Sequence, residues 1–129
     1  MPLPAAVVAA VNVPELLAWQ WEGYARYHQN RANLLLHIFV VPVFLVGTVL
    51  IVIGGVTLSV DSLVAGVFCV VASVVLQGRG HKLEPVPPEP FTGPANFIGR
   101  LFLEQWVTFP RFVLSGGWSQ NLARSRSAA

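Results

Sequence analysis

The sequence predicts an all-α integral membrane protein, a helical hairpin of two spans flanked by interfacial amphipathic helices. Composition is the first reason: hydrophobic residues make up 54% of the 129 and charged ones only 11%. A soluble domain carries about 25% charge, so the surplus apolar surface has to face lipid. Two long apolar runs are the second. The third is where the basic residues fall: Arg26 and Arg31 precede the first run, Arg79 and Lys82 follow the second, and the turn between holds only Asp61. Basic flanks on one side put both ends of the hairpin in the cytoplasm.

The chain is read as a single membrane domain, 1–129. Met1 to Val13 is apolar but lacks the basic start of a signal peptide, so a mature, loosely ordered N-terminus is expected. Residues 12–31 form an interfacial helix. Asn12 caps it, Pro14 suits its first turn, and Trp19, Trp21, Tyr24 and Tyr27 suit the membrane–water boundary. Leu17, Trp21, Tyr24 and His28 share one face, and Glu22 with Arg26 forms an i,i+4 pair on another. The first span occupies 34–55. Its stretch from Leu34 to Ile53 holds no Asp, Glu, Lys or Arg and reaches roughly 30 Å at 1.5 Å per residue. Pro42 is expected to kink it, and Gly54–Gly55 to open the turn. The second span returns over 58–77. Glu84 to Pro90 is too proline-dense for a helix and forms a stiff connector.

Helical patterning resumes over 94–114, interrupted at Pro110, with Arg100, Glu104 and Arg111 on one polar stripe. Such a segment either lies in the interface or re-enters the membrane with its stripe toward the histidines. The first is favoured, because three charges sit poorly in hydrocarbon. Residues 115–129 are expected to fray. Two spans alone bury little, which leaves room for a homodimer.

Several chemistries are excluded. A net charge of +2 without a basic run argues against nucleic acid. One cysteine, Cys69, permits neither an internal disulfide nor a Cys-based metal motif. Phosphate loops, dinucleotide fingerprints and serine elbows are absent. Histidine and carboxylate remain. The chain has three histidines, and the hairpin brings His28, His37 and His81 to one membrane face. Neutral imidazole is the commonest metal ligand. Nine residues on a straight helix would set His28 and His37 about 180° apart, so they can share an ion only if the chain bends near Asn30 to Asn33. Asn33 stands i,i+4 from His37 and could orient it. Glu84 stands i,i+3 from His81. As the bland alternatives, each histidine is a polar interfacial anchor, Glu84 a solvated loop charge, and Glu104 an exposed partner of Arg100.

Tyr27-His28-x-Asn30-x-x-Asn33-x-x-x-His37, then Pro42, then Gln77-Gly78-x-Gly80-His81-x-x-Glu84, resembles the Mpo-one-like family of 2-hydroxy fatty acid dioxygenases. The resemblance extends from about Trp19 to Gly117. It implies an Fe(II)-dependent membrane dioxygenase of α-oxidation that shortens a 2-hydroxy fatty acid by one carbon using O2. It further implies His28, His37 and His81 as iron ligands with Glu84 close by as a catalytic residue. The family's block is usually followed directly by a Pro-Ala pair, whereas here Pro85 to Gly93 intervenes before Pro94-Ala95. Arg100 or Arg79 is a candidate partner for the substrate carboxylate. Two rivals stand beside this expectation: a non-enzymatic membrane scaffold, and another metal-dependent lipid enzyme such as a Zn2+ hydrolase.

Overall fold

The structure is a computed structural model and describes residues 12–127; the expectation for the apolar N-terminus falls largely outside them. All regular structure among the described residues is helical. Helix α1 covers Val13–Tyr24, and the Asn12 side chain accepts from Glu15 N at 3.2 Å to start it. A 3-10 turn, Ala25–Tyr27, ends it. Helix α2 then runs over Arg31–Thr57, capped by Asn30 through Asn33 N at 3.1 Å, and α3 over Val60–His81, capped by Ser59.

Helices α2 and α3 form the predicted hairpin. Gly54 lies against Leu63, Gly47 against Gly66, Val40 against Ser73 and Asn33 against Gly80. One number falls as the other climbs, so the pair is antiparallel. By length and composition both helices can cross a membrane, and only 28% and 17% of their most apolar windows is buried. The core helix of a soluble protein would be mostly covered. Here Phe39, Val46, Val52, Phe68 and Val71 face outward. The turn comes later than Gly54–Gly55. An apolar environment favours backbone groups paired within the helix, and the chain reverses at Leu58, which adopts the left-handed conformation at φ 56°. Helix α3 likewise extends past residue 77, carrying His81 on its last turn.

Where the two helices cross, a Cβ on Gly66 would stand 2.7 Å from Gly47 O and 2.9 Å from Ile51 N. Backbone cannot step aside as a side chain can, and small residues let membrane helices approach closely. Gly66→Leu is therefore expected to lower stability by about 1–3 kcal/mol, read as an earlier unfolding midpoint in detergent. An unchanged midpoint would remove this contact from the hairpin's determinants.

The second half of the chain folds back on the first. Helix α4, Pro94–Leu103, passes through a π-helical segment, Glu104–Thr108, into α5, Phe109–Leu114. Asn96, Arg100, Gln105 and Thr108 of this stretch are buried. Gln77 and Gln105 exchange amide hydrogen bonds of 2.8 and 2.9 Å, Gln20 donates to Arg100 O, and the Thr108 hydroxyl bonds Gln20 Oε1. Tyr24, Leu34, Val41, Phe109 and Phe112 make the apolar core beside them.

The final segment departs from expectation. Gly117–Ser127 is a helix, α6, rather than a frayed tail. Trp118 Nε1 donates to Leu34 O, and the Asn121 amide donates to Ala25 O and His28 O at 3.0 and 2.8 Å. The break between α1 and α2 leaves the His28 carbonyl without a helical partner, and buried carbonyls need donors. The polar composition that suggested fraying is what lets this helix dock.

Candidate metal centre

The three histidines meet, each delivered by a different device. His28 lies outside both helices, at the end of the 3-10 turn with φ −133° and ψ 69°. That break supplies the bend the sequence required, slightly ahead of Asn30–Asn33. His37 lies on the second turn of α2 and His81 ends α3. Their ring centroids stand 4.8 to 5.0 Å apart, with interplanar angles of 78° to 86°. His28 and His37 are 3% and 0% exposed, which rules out the solvent-facing anchor role.

Hydrogen bonds set the tautomers. His28 Nδ1 lies 2.8 Å from Tyr24 O, and His37 Nδ1 lies 3.0 Å from Asn33 O. A carbonyl can only accept, so each Nδ1 carries the hydrogen and each Nε2 keeps a lone pair. Both Nε2 atoms, and Nδ1 of His81, are buried without a hydrogen-bond partner. Unpartnered buried nitrogens are costly; three converging on one point are what a metal site requires. Asn33 thus orients His37 through its backbone carbonyl, not its side chain.

The carboxylate that joins them is Glu104. Its Oε2 stands 3.4 Å from His28 Nε2, a close approach that falls short of hydrogen-bond geometry. One ligand atom from each of His28, His37, His81 and Glu104 lies within 4.8 Å of the others, so this group could hold a metal ion. Two ligands about 2.1 Å from a shared ion are at most about 4.2 Å apart, so a small closure suffices. Tyr24 donates its hydroxyl to Glu104 Oε2 at 2.7 Å and stacks on the His28 ring. Burial raises the Glu104 carboxyl, while His28, and behind it His37 and His81, hold it below the usual carboxylate range whenever those rings are protonated. Burial and the Glu104 charge push the Tyr24 phenol up. The pair is therefore a carboxylate held by a neutral phenol donor.

Glu84 has a different place. Its Oε1 accepts from Gln29 N at 2.7 Å and from Asn30 N at 3.0 Å, and its Oε2 accepts from Asn33 Nδ2 at 2.6 Å. It clamps the break that aims His28 and stands outside the four-residue group. Gly80 lets α3 lie against this clamp, since a Cβ there would collide with Asn33 Oδ1. The sequence pointed to Glu84 because it lies three residues from His81. Glu104, remote in sequence, was legible only through the alternative in which the polar stripe faces the histidines.

A cavity of about 460 Å³ adjoins the centre. His28, His81 and Glu104 contribute to its wall, with Trp19, Phe91, Phe97 and Leu101 as its apolar lining and Arg100 and Lys82 as its cations. Arg79 is not among the lining residues. The Arg100 guanidinium donates to Glu89 O and Pro90 O and lies over the Trp19 and Phe91 rings, so much of its capacity fastens the proline-rich connector. No family model, curated protein or solved structure matches this chain.

Proposed function

We propose that this protein is a membrane-embedded Fe(II)-dependent dioxygenase that shortens 2-hydroxy fatty acids by one carbon. The observation that carries the proposal is the convergence of three unpartnered imidazole nitrogens with the Glu104 carboxylate. Histidines with a carboxylate suit non-haem iron, and the resemblance of the His28–His37 and Gln77–Glu84 blocks to 2-hydroxy fatty acid dioxygenases favours that metal. His28, His37, His81 and Glu104 would hold the iron. When bound, Fe(II) would supply a template for the hydroxy acid and the electrons that make O2 reactive.

The reaction balances without another reductant: RCH(OH)COOH + O2 gives RCOOH + CO2 + H2O. The bond between the carboxyl carbon and the hydroxyl-bearing carbon breaks, the first leaves as CO2, and the second becomes the new carboxyl. The chain's own residues divide the remaining work. The apolar cavity wall takes the acyl chain and excludes water. Tyr24 orients Glu104 through its donated hydroxyl hydrogen bond. Arg100 and Lys82 provide positive charge for the substrate carboxylate. With α2 and α3 spanning the bilayer and both hairpin ends cytoplasmic, the centre sits where a fatty acid's polar head meets water.

The test is turnover of a 2-hydroxy fatty acid labelled at its carboxyl carbon by protein reconstituted anaerobically with Fe(II). Labelled CO2 and an acid one carbon shorter are expected only after O2 is admitted. A protein that retains no iron points to a scaffold, and lipid turnover with Zn2+ and without O2 points to a hydrolase. Either result overturns the proposal.

A further inference from the structure

A second cleft lies on the other side of the His28 break. Its volume is about 660 Å³, and its wall comes from the 3-10 turn, the start of α2, the connector and α6. Three arginines line it, Arg26, Arg31 and Arg124, together with the neutral donors Gln29, Asn30 and Asn121. No carboxylate is among its lining residues. Glu84, the nearest acid along the connector, contributes to the wall of the first cavity and is engaged by the amides of Gln29, Asn30 and Asn33.

One atom gives the cleft a direction. Arg31 Nη1 is buried and has no hydrogen-bond partner. A guanidinium offers five donors in a fixed fork and is always charged, so a buried donor left open calls for an acceptor. Arg31 is also the first residue of α2, where the helix dipole adds to the positive potential. Arg26 and Arg124 are exposed at the rim, Arg26 against the Tyr27 ring and hydroxyl and Arg124 at 3.5 Å from Asn121 Oδ1.

We propose that this cleft binds a phosphate group, supplied by the headgroup of an anionic phospholipid at the hairpin's basic end. Arg31 receives it and the two rim arginines close over it. Three convergent cations suit a phosphate better than a lone carboxylate, because its oxygens can take several charge-assisted hydrogen bonds at once. Basic pockets beside membrane helices at the cytoplasmic surface recognise phospholipid headgroups by this chemistry.

The test uses the full chain in neutral detergent, titrated separately with a short-chain phosphatidic acid, a short-chain phosphatidylcholine and inorganic phosphate, with binding read by native mass spectrometry. Phosphatidic acid is expected to bind at least about tenfold more tightly than phosphatidylcholine. Arg31→Gln should remove that preference and Arg124→Gln, on the exposed rim, should weaken it. Arg79→Gln, at the same end but outside the cleft, should leave it intact. Inorganic phosphate binding as tightly as the lipid, with the same Arg31 dependence, supports the site and assigns it to soluble phosphate. Equal affinity for both lipids, or equal losses in the Arg79 and Arg124 variants, overturns the proposal. Arg31→Lys, which keeps the charge, separates loss of the site from loss of the fold.

Discussion

Alanine at His37 is expected to strip the centre of its metal while the protein stays in the membrane. His37 is fully buried, its Nδ1 is held by the Asn33 carbonyl, and its Nε2 has no partner. No neighbouring group can take its place. Loss of an outer-shell partner alone typically costs ten- to a hundredfold in metal affinity, so loss of the ligand itself should cost more than about a hundredfold. Turnover of a 2-hydroxy acid should fall to background with it. His81→Ala should behave alike. Neither ring contributes to the exposed apolar faces of α2 and α3, the two helices long and apolar enough to cross a membrane, so extraction from membranes should still need detergent. Asp61→Asn, at the start of α3 and at the opposite end of the hairpin, should leave metal content and turnover unchanged. Iron retained at the normal level by the His37 variant would sink the assignment of that residue.

The two glutamates should fail in opposite ways. Glu104→Gln keeps the shape and still offers Tyr24 an acceptor, but it removes the negative charge from the ligand set. Glu104 is itself in the ligand set, so metal affinity should drop by more than about a hundredfold with little change in unfolding midpoint. Glu84→Gln leaves the ligand set complete and damages the clamp, because one amide oxygen cannot serve all the donors that the carboxylate serves. Hydrogen bonds to charged groups contribute about 1.5–3 kcal/mol each, so a stability loss of about 2–4 kcal/mol is expected. Metal content and thermal midpoint measured on the same preparations separate the two. Metal lost equally from both variants, with both folds intact, would contradict this division of roles.

Both long apolar helices and the meeting of the histidines were legible because they follow from long patterns: apolar length and antiparallel return. The carboxylate was not. Glu104 reaches the histidines through packing of the π-helical segment on α1 and α2, with Gln105 bonded to Gln77 of α3, and no local spacing encodes such a contact. Glu84 was misplaced for the converse reason. Its i,i+3 relation to His81 assumes the helix continues, yet α3 ends at His81 and the chain turns Glu84 toward the amides of Gln29 and Asn30. Polarity also misled at the C-terminus, where the Asn121 amide serves the His28 carbonyl that the break before α2 leaves open and Trp118 reaches Leu34 O on α2 itself.

The π-helical segment explains one more discrepancy. On an ideal α-helix Arg100 and Arg111, eleven positions apart, share a face. Instead Arg100 is buried while Arg111 is exposed over the Trp21 ring, 4.0 Å away. A wider turn holds a surplus residue and rotates everything downstream relative to everything upstream. Glu104 stands at that join. The number of amino acids between the carboxylate and Phe112 is accordingly as much a part of the centre as any donor atom: removing one would restore an ordinary spiral and turn either the acid or the aromatic anchor away from its seat.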